Sequence, residues 1–297
     1  MTGVINAADV AGFIEVKRPA LRWHGGKWKL APWIIGHFPE HRVYVEPFGG
    51  AASVLLRKPR AYAEVYNDLD DWVVNLFRVL RDEEQSARLI EALRLTPFAR
   101  AEFDIARDLA LTDDPVEKAR RLVARSFMGF GANAHNGRST SFRANSNRSG
   151  TTPAHDWANF PQALPALIER LRGVVIEHRD AKAVMAAHDG PDTLHYVDPP
   201  YVWDTRSPSR KADVKYRMYR HELTDQDHAE LLEFLRTLRG MVIISGYRCD
   251  LYDSALSSWR RAETAAHADG ARDRTEALWL SPTVGEPAQS SIFGAVA

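Results

Sequence analysis

A carboxylate, two prolines and a tyrosine stand together in Asp198-Pro199-Pro200-Tyr201, directly after an apolar run at residues 193–197. Because proline cannot donate to a β-ladder, a strand ends here and leaves a stiff loop at one edge of its sheet. Open α/β sheets bind ligands at that edge. Asp198 and the loop carbonyls can accept hydrogen bonds from the exocyclic amine of a nucleobase, and Tyr201 can stack on a flipped base. A structural Asp-Pro turn followed by a core tyrosine is the alternative, although it explains a lone Asp-Pro better than the whole tetrapeptide.

A second group of residues has the composition of a nucleotide-binding loop. Glu46-Pro47-Phe48-Gly49 ends an apolar run and is followed by another glycine, so a ligand can approach the backbone without a Cβ clash. Asp68 follows the next apolar run, 22 residues after Glu46, which is about the separation at which a carboxylate binds ribose hydroxyls. The third glycine of the dinucleotide fingerprint is missing, as expected for a nucleoside ligand without a pyrophosphate. An ordinary strand–turn–helix corner explains the loop about equally well.

A third group precedes both of these, in Trp23-His24-Gly25-Gly26-Lys27. Trp23 can pack on an adenosine or on a sulfonium, and Lys27 can bind the carboxylate of a methionine moiety. Taken alone, this segment is more simply explained as a loop that carries a surface lysine.

Short apolar runs separated by helical segments are available to position these groups. The predicted strands cover residues 43–48, 61–67, 174–178, 193–197, 241–245 and 276–280, with a weaker candidate at 262–267. The predicted helices cover residues 50–56, 71–80, 115–127 and 225–238. This alternation predicts an α/β domain with a largely parallel sheet.

The predicted strands are distributed unevenly along the chain. Nothing between Asp68 and Val174 has the pattern of a strand, and residues 129–152 are rich in Gly, Asn, Ser and Thr. We therefore expect a discontinuous catalytic domain at residues 20–80 and 172–285, interrupted by a helical insertion at residues 81–171.

The formal net charge is zero, which by itself argues weakly against a nucleic-acid binder. The charges are nevertheless clustered, because residues 118–155 contain no Asp or Glu but include Arg138, Arg143 and Arg148. A second basic cluster runs from Arg206 to Arg220. Both clusters can meet phosphates, and two solvated loops are the alternative.

Composition also limits the compartment and the cofactor. The single cysteine, Cys249, excludes a disulfide within the chain, and the histidines show no zinc spacing, so we expect no metal site. We find no signal peptide and no apolar run long enough for a membrane span, so we expect a cytoplasmic protein that does not bind a membrane.

The chain resembles the Dam-type family of DNA adenine-N6 methyltransferases along nearly its whole length. The resemblance lies in the order of its motifs, which is Trp-x-Gly-Gly-Lys, Glu-Pro-Phe-x-Gly, an insertion and then Asp-Pro-Pro-Tyr. Residues 243–247, Trp259 and residues 275–279 are similar to the closing segments of that family. The resemblance implies a Rossmann-like, S-adenosylmethionine-dependent methyltransferase sheet with a helical target-recognition insertion. It also implies double-stranded DNA as the partner and is compatible with a partner restriction nuclease, while the oligomeric state stays open.

The resemblance also implies roles for individual residues. Asp198 and the carbonyl of Pro199 should accept hydrogen bonds from the adenine N6, while Tyr201 stacks on the flipped base and the methyl group passes directly to N6. Glu46, Pro47, Phe48 and Gly49 should shape the cofactor loop. The residues expected to contact S-adenosylmethionine are Trp23, Lys27, Asp68 and Asp198, with a looser match at Asp180.

Two residues depart from the family pattern, and three other functions are alternatives to the expected one. His24 stands where a small residue is expected, and Gly50 makes the cofactor loop Phe-Gly-Gly. The insertion does not clearly match the recognition hairpin of the GATC enzymes, so no target sequence follows from it. The alternatives are an enzyme that methylates adenine in RNA, a cytosine-N4 enzyme, which would usually carry Ser in place of Asp198, and a catalytically silent DNA-binding relative.

Overall fold

The computed structural model of the chain describes residues 15–107, 112–130, 141–144, 151–205, 220–268 and 272–285. Seven strands in these ranges form one sheet. They are β1 (Val43–Glu46), β2 (Ala63–Asn67), β3 (Val174–Glu177), β4 (Thr193–Val197), β5 (Met241–Gly246), β6 (Arg260–Ala268) and β7 (Arg272–Leu280). All six predicted strands and the weaker candidate are confirmed, although the last two are longer than the sequence indicated.

The strand order places the three predicted motifs at one edge of the sheet. The order is β3-β2-β1-β4-β5-β7-β6, with β1 to β5 parallel and β7 antiparallel between β5 and β6. The chain leaves β1 toward β2 and β3, and later returns to β4 on the other side of β1. A crevice therefore opens at the carboxyl ends of β1 and β4, where the strand order reverses.

Helices cover both faces of the sheet. Asp70, Asp114 and Thr224 cap their helices by accepting hydrogen bonds from backbone N–H groups in the first turn. Within the described ranges, every helix is too short or too polar to span a lipid bilayer. The helices are α1 (Ala31–Ile35), α2 (Asp71–Arg81), α3 (Glu83–Leu95), α4 (Arg100–Arg107), α5 (Pro115–Met128), α6 (Pro153–Ala158), α7 (Leu164–Leu171), α8 (Ala181–Ala187), α9 (Asp225–Leu235) and α10 (Asp250–Ala255).

The helix predicted at residues 50–56 was wrong, because this segment forms a series of turns. Ala52 has φ 53° and Gly50 has φ 47°, both in the left-handed region that a helix cannot contain. The N–H of Leu55 donates to the side chain of Glu46 at 3.0 Å instead of to a carbonyl one helical turn earlier. The buried carboxyl group of Glu46 thus takes the place of the backbone carbonyl that would accept this hydrogen bond in a helix.

In the described part of the interval between β2 and β3, the regular structure is helical, apart from one isolated bridge between Gly129 and Phe142. Its apolar side chains do not form a core of their own. Phe77 of α2, Leu122 of α5 and Leu171 of α7 belong to the same buried cluster as Tyr66 of the sheet. The division into a catalytic domain and an insertion at residues 81–171 stays a prediction.

A buried ion cluster joins α7 to the sheet. The Arg170 guanidinium donates to both oxygens of Glu64 on β2, at 2.6 and 3.0 Å, and to the carbonyl of Leu55 at 2.5 Å. The Lys58 ammonium donates to Glu64 at 2.7 Å. Burial alone would raise the pKa of Glu64, but the hydrogen bonds from Arg170 and the charge of Lys58 hold it below its usual value. This cluster therefore fixes the turns that follow β1.

Replacement of Glu64 by Ala should lower the free energy of unfolding by about 3–5 kcal/mol, because it leaves two buried cations without their anion. Urea unfolding at neutral pH measures the change. Glu91→Ala is the matched control, since Glu91 pairs with Arg94 at an exposed position and its loss should have little effect. Equal destabilisation by the two substitutions would contradict a structural role for the cluster.

Candidate active site

An open cleft of about 910 Å³ lies at the carboxyl ends of β1, β2 and β4. It brings together residues from all three motifs that the sequence singled out. The predicted site residues that line it are Trp23, Lys27, Glu46, Pro47, Phe48, Gly49, Asp68, Asp198, Pro199 and Pro200.

Two glycines shape the loop after β1. A Cβ on Gly49 would collide with the ring of Tyr66, and a Cβ on Gly50 would lie 2.7 Å from the Trp23 indole nitrogen. The Tyr66 hydroxyl donates to the carbonyl of Gly50 at 2.8 Å. The two glycines therefore let the loop pass between two aromatic side chains, so that Trp23 packs directly on the loop backbone.

Asp68 stabilises the same loop from the end of β2. Its carboxylate accepts hydrogen bonds from the N–H of Gly50 at 2.7 Å and from the N–H of Asp70 at 2.8 Å. Burial raises the pKa of Asp68 to about 6, and the two backbone hydrogen bonds partly offset that rise. Each oxygen has one of these partners, and an ionised carboxylate has about four acceptor positions. Acceptor positions remain for hydroxyl groups in the cleft.

Glu46 lies at the floor of the cleft, where it is buried. Its carboxyl accepts hydrogen bonds from the Tyr44 hydroxyl at 2.6 Å and from the N–H of Leu55 at 3.0 Å. Burial is the main cause that raises the pKa of Glu46 to about 8. Near neutral pH this group is therefore largely protonated in the folded protein.

The raised pKa of Glu46 makes stability depend on pH. Between pH 4.5 and about pH 8, the folded chain holds a proton on Glu46 that the unfolded chain has lost. The free energy of unfolding therefore falls as pH rises through this window. Glu46→Gln removes this titration but keeps an acceptor for Leu55. Urea unfolding across this window should show a smaller loss of stability with pH for the variant than for the wild type. If the free energy of unfolding fell equally with pH in the variant and the wild type, the raised pKa of Glu46 would be contradicted.

Lys27 and Ser245 hold the carboxylate of Asp198 in place. The Lys27 ammonium donates to both oxygens of Asp198, at 2.8 and 2.9 Å, and the Ser245 hydroxyl donates to Oδ1 at 2.7 Å. Three of about four acceptor positions are thus occupied. The carboxylate is oriented from two elements and able to accept one further hydrogen bond.

Tyr201 does not line the cleft but lies beside Lys27, which does. The Lys27 ammonium lies over the Tyr201 ring, 4.6 Å from its centroid. The ring of Tyr247 meets it edge-on at 4.8 Å and 78°, and the Tyr201 hydroxyl donates to Glu276. The tyrosine is therefore held by contacts at its face, its edge and its hydroxyl.

Other predicted residues fall elsewhere. Asp180 is exposed and accepts from the N–H of Ala183 at 3.0 Å as the cap of α8, while its neighbour Ala181 lines the cleft. Arg143 lies beside the isolated bridge, where its N–H donates to the carbonyl of Met128 at 2.7 Å. Arg138 and Arg148 lie outside the described residues. The Lys27 ammonium faces Asp198 and the Gly25 carbonyl, so its predicted contact with a cofactor carboxylate stays a prediction.

Three residues with a place in the site were not assigned a role from the sequence. Asn67 bonds through its side chain to the backbone of Pro47 and Arg179, which joins the ends of β1, β2 and β3. Ser245 donates a hydrogen bond to Asp198, and Glu276 accepts one from Tyr201. Asn67 directly precedes Asp68, and Ser245 and Glu276 lie in segments that resemble the family. Their positions beside recognised motifs were therefore the signal in the sequence that could have found them.

The strand order, the antiparallel β7, the glycine loop after β1 and the acidic motif after β4 define a Rossmann-like methyltransferase fold. The chain belongs to the D12 class of N6 adenine-specific DNA methyltransferases, whose family model matches residues 23–269. It is similar to a DNA adenine methylase of Salmonella typhi, with 26% identity over 239 residues that cover 79% of this chain and 82% of that protein. It is also similar to a DNA adenine methylase of Vibrio cholerae serotype O1, with 32% identity over 122 residues. That match covers 39% of this chain and spans 43% of the Vibrio protein, less than half its length.

Proposed function

We propose that this chain transfers a methyl group from S-adenosylmethionine to the N6 atom of adenine in double-stranded DNA. The observation that carries the proposal is the oriented carboxylate of Asp198, which can accept one more hydrogen bond in the cleft at the carboxyl ends of the parallel strands. Membership of an adenine-specific DNA methyltransferase family supports the choice of base and nucleic acid.

The residues of the cleft fit the proposed cofactor. Asp68 offers acceptor positions for ribose hydroxyls, and the aromatic rings of Trp23 and Phe48 line the same cleft. Gly49 and Gly50 let the loop pass close to Tyr66 and Trp23 and so keep Trp23 at the cleft. When bound, S-adenosylmethionine supplies an electrophilic methyl group.

Asp198 and Tyr201 act on the base. Adenine reaches the cleft only after it leaves the base stack, since its N6 is otherwise inside the duplex. Asp198 then accepts a hydrogen bond from an N6 hydrogen in its remaining acceptor position, with the Pro199 carbonyl as a second acceptor. The N6 lone pair is thereby directed toward the methyl group. Stacking on the ring of Tyr201 keeps the base in that orientation.

The choice of DNA over RNA rests on the family and on relatives named DNA adenine methylase. We assign the interaction with phosphates to Arg138, Arg143 and Arg148. Half or more of protein–DNA hydrogen bonds go to the backbone, where arginine is a common donor. A partner restriction nuclease is compatible with this function.

Asp198→Ala should lower kcat on the order of 10²–10³-fold or more, because the transition state loses a preorganised hydrogen-bond acceptor. Transfer of tritiated methyl groups to unmethylated duplex DNA measures the change. The matched control is Asp192→Ala, since Asp192 is an exposed carboxylate just before β4, at the opposite edge of the sheet. Full activity of Asp198→Ala, with the control also active, would refute the assignment.

Replacement of Arg138, Arg143 and Arg148 by Ala should weaken DNA binding and reduce its salt dependence. Each phosphate that is no longer neutralised should lower the slope of log affinity against log salt by about 0.9. Fluorescence anisotropy at several salt concentrations measures both quantities. The charge-matched control replaces Arg94, Arg172 and Arg239, which are exposed. An unchanged slope in the first variant would show that these arginines do not meet phosphate.

A further inference from the structure

We propose that Glu276, on β7, is a positioning residue that sets the orientation of Tyr201 and thereby the stacking of the flipped adenine. This inference rests on the proposed function, because it concerns how the same site holds its base. The segment that contains Glu276 is similar to the family in sequence, but that similarity gives Glu276 no role.

The antiparallel direction of β7 brings Glu276 to the ligand edge of the sheet. Ala277 pairs with Gly246 at the carboxyl end of β5, so Glu276 lies one residue beyond that end. On its other side, Glu276 pairs with Thr264 of β6. Glu276 is 2% exposed. A buried carboxyl group is costly unless it has partners, and here the partners belong to the site.

Those partners are Tyr201, which belongs to the base-binding motif, and Lys27, which bonds to Asp198 of the same motif. The Tyr201 hydroxyl donates to Oε1 of Glu276, and the Lys27 ammonium lies 3.8 Å from the same oxygen. Burial raises the pKa of Glu276, and the charge of Lys27 and the Tyr201 hydrogen bond oppose that rise. One carboxyl group therefore contacts both the stacking tyrosine and the lysine that holds Asp198.

Contacts from three side chains determine where the ring of Tyr201 lies. The Lys27 ammonium lies over the ring, and Tyr247 meets it edge-on. Both of these contacts are made to the aromatic ring, and a third is made at its hydroxyl end. The hydrogen bond to Glu276 fixes that hydroxyl end. Because Lys27 also bonds to Asp198, the acceptor for N6 and the stacking surface share a common support.

A double-mutant cycle tests this proposal on full-length protein and a duplex that contains the target site, after sequencing of DNA methylated by the wild type has mapped that site. Glu276→Ala should lower kcat on the order of tenfold to a hundredfold, the worth of one hydrogen bond to a charged group. Tyr201→Phe should produce a loss of similar size, and the double variant should be no worse than Glu276→Ala. Multiplied losses in the double variant would overturn the proposal, because Glu276 would then act independently of the Tyr201 hydroxyl.

A second readout separates positioning from general damage. Glu276→Gln keeps an oxygen that can accept from Tyr201, so it should recover most of the lost kcat, and S-adenosylmethionine affinity should be unchanged in all variants. With 2-aminopurine in place of the target adenine, fluorescence of the flipped base should change equally in Glu276→Ala and Tyr201→Phe. Unchanged fluorescence in Glu276→Ala would contradict the proposal. Absence of DNA methylation by the wild type would instead refute the proposed function.

Discussion

The contact between Lys27 and Asp198 is the interaction on which the site depends. It joins a loop near the start of the described chain to the end of β4, 171 residues later, through two short hydrogen bonds. Asp198 lies in a partly enclosed place, and the Lys27 ammonium fixes both of its carboxylate oxygens. Removal of Lys27 would take away the cation that Asp198 pairs with, and removal of Asp198 would leave Lys27 only the more distant carboxyl group of Glu276, at 3.8 Å.

The parallel sheet provides the second constraint. Because β1, β2 and β4 run in the same direction, their carboxyl ends deliver Glu46, Asp68 and Asp198 to one edge. Asn67 joins the neighbouring strand ends, and the ion cluster around Glu64 fixes the turns that follow β1. The antiparallel β7 then adds Glu276 from the opposite direction. The directions of the strands therefore bring these residues, which are distant in sequence, to the same edge of the sheet.

The sequence predicted the strands and the three motifs well, since apolar runs that end in Pro, Gly or Asp have few other structures available. It failed at residues 50–56, where the carboxyl group of Glu46 takes the N–H of Leu55. That contact depends on how the buried side chain is oriented, which periodicity does not encode. The partners of Lys27 and Tyr201 were missed for a related reason. Glu276 is 75 residues from Tyr201, and only the position of β7 brings the two together.

We propose that an adenine N6 in duplex DNA receives the methyl group. The most direct test incubates the purified chain with labelled S-adenosylmethionine and unmethylated duplex DNA, digests the product to nucleosides and identifies the labelled one by mass spectrometry. We expect N6-methyldeoxyadenosine. Label in N4-methyldeoxycytidine, or label only when RNA replaces the duplex, would refute this assignment.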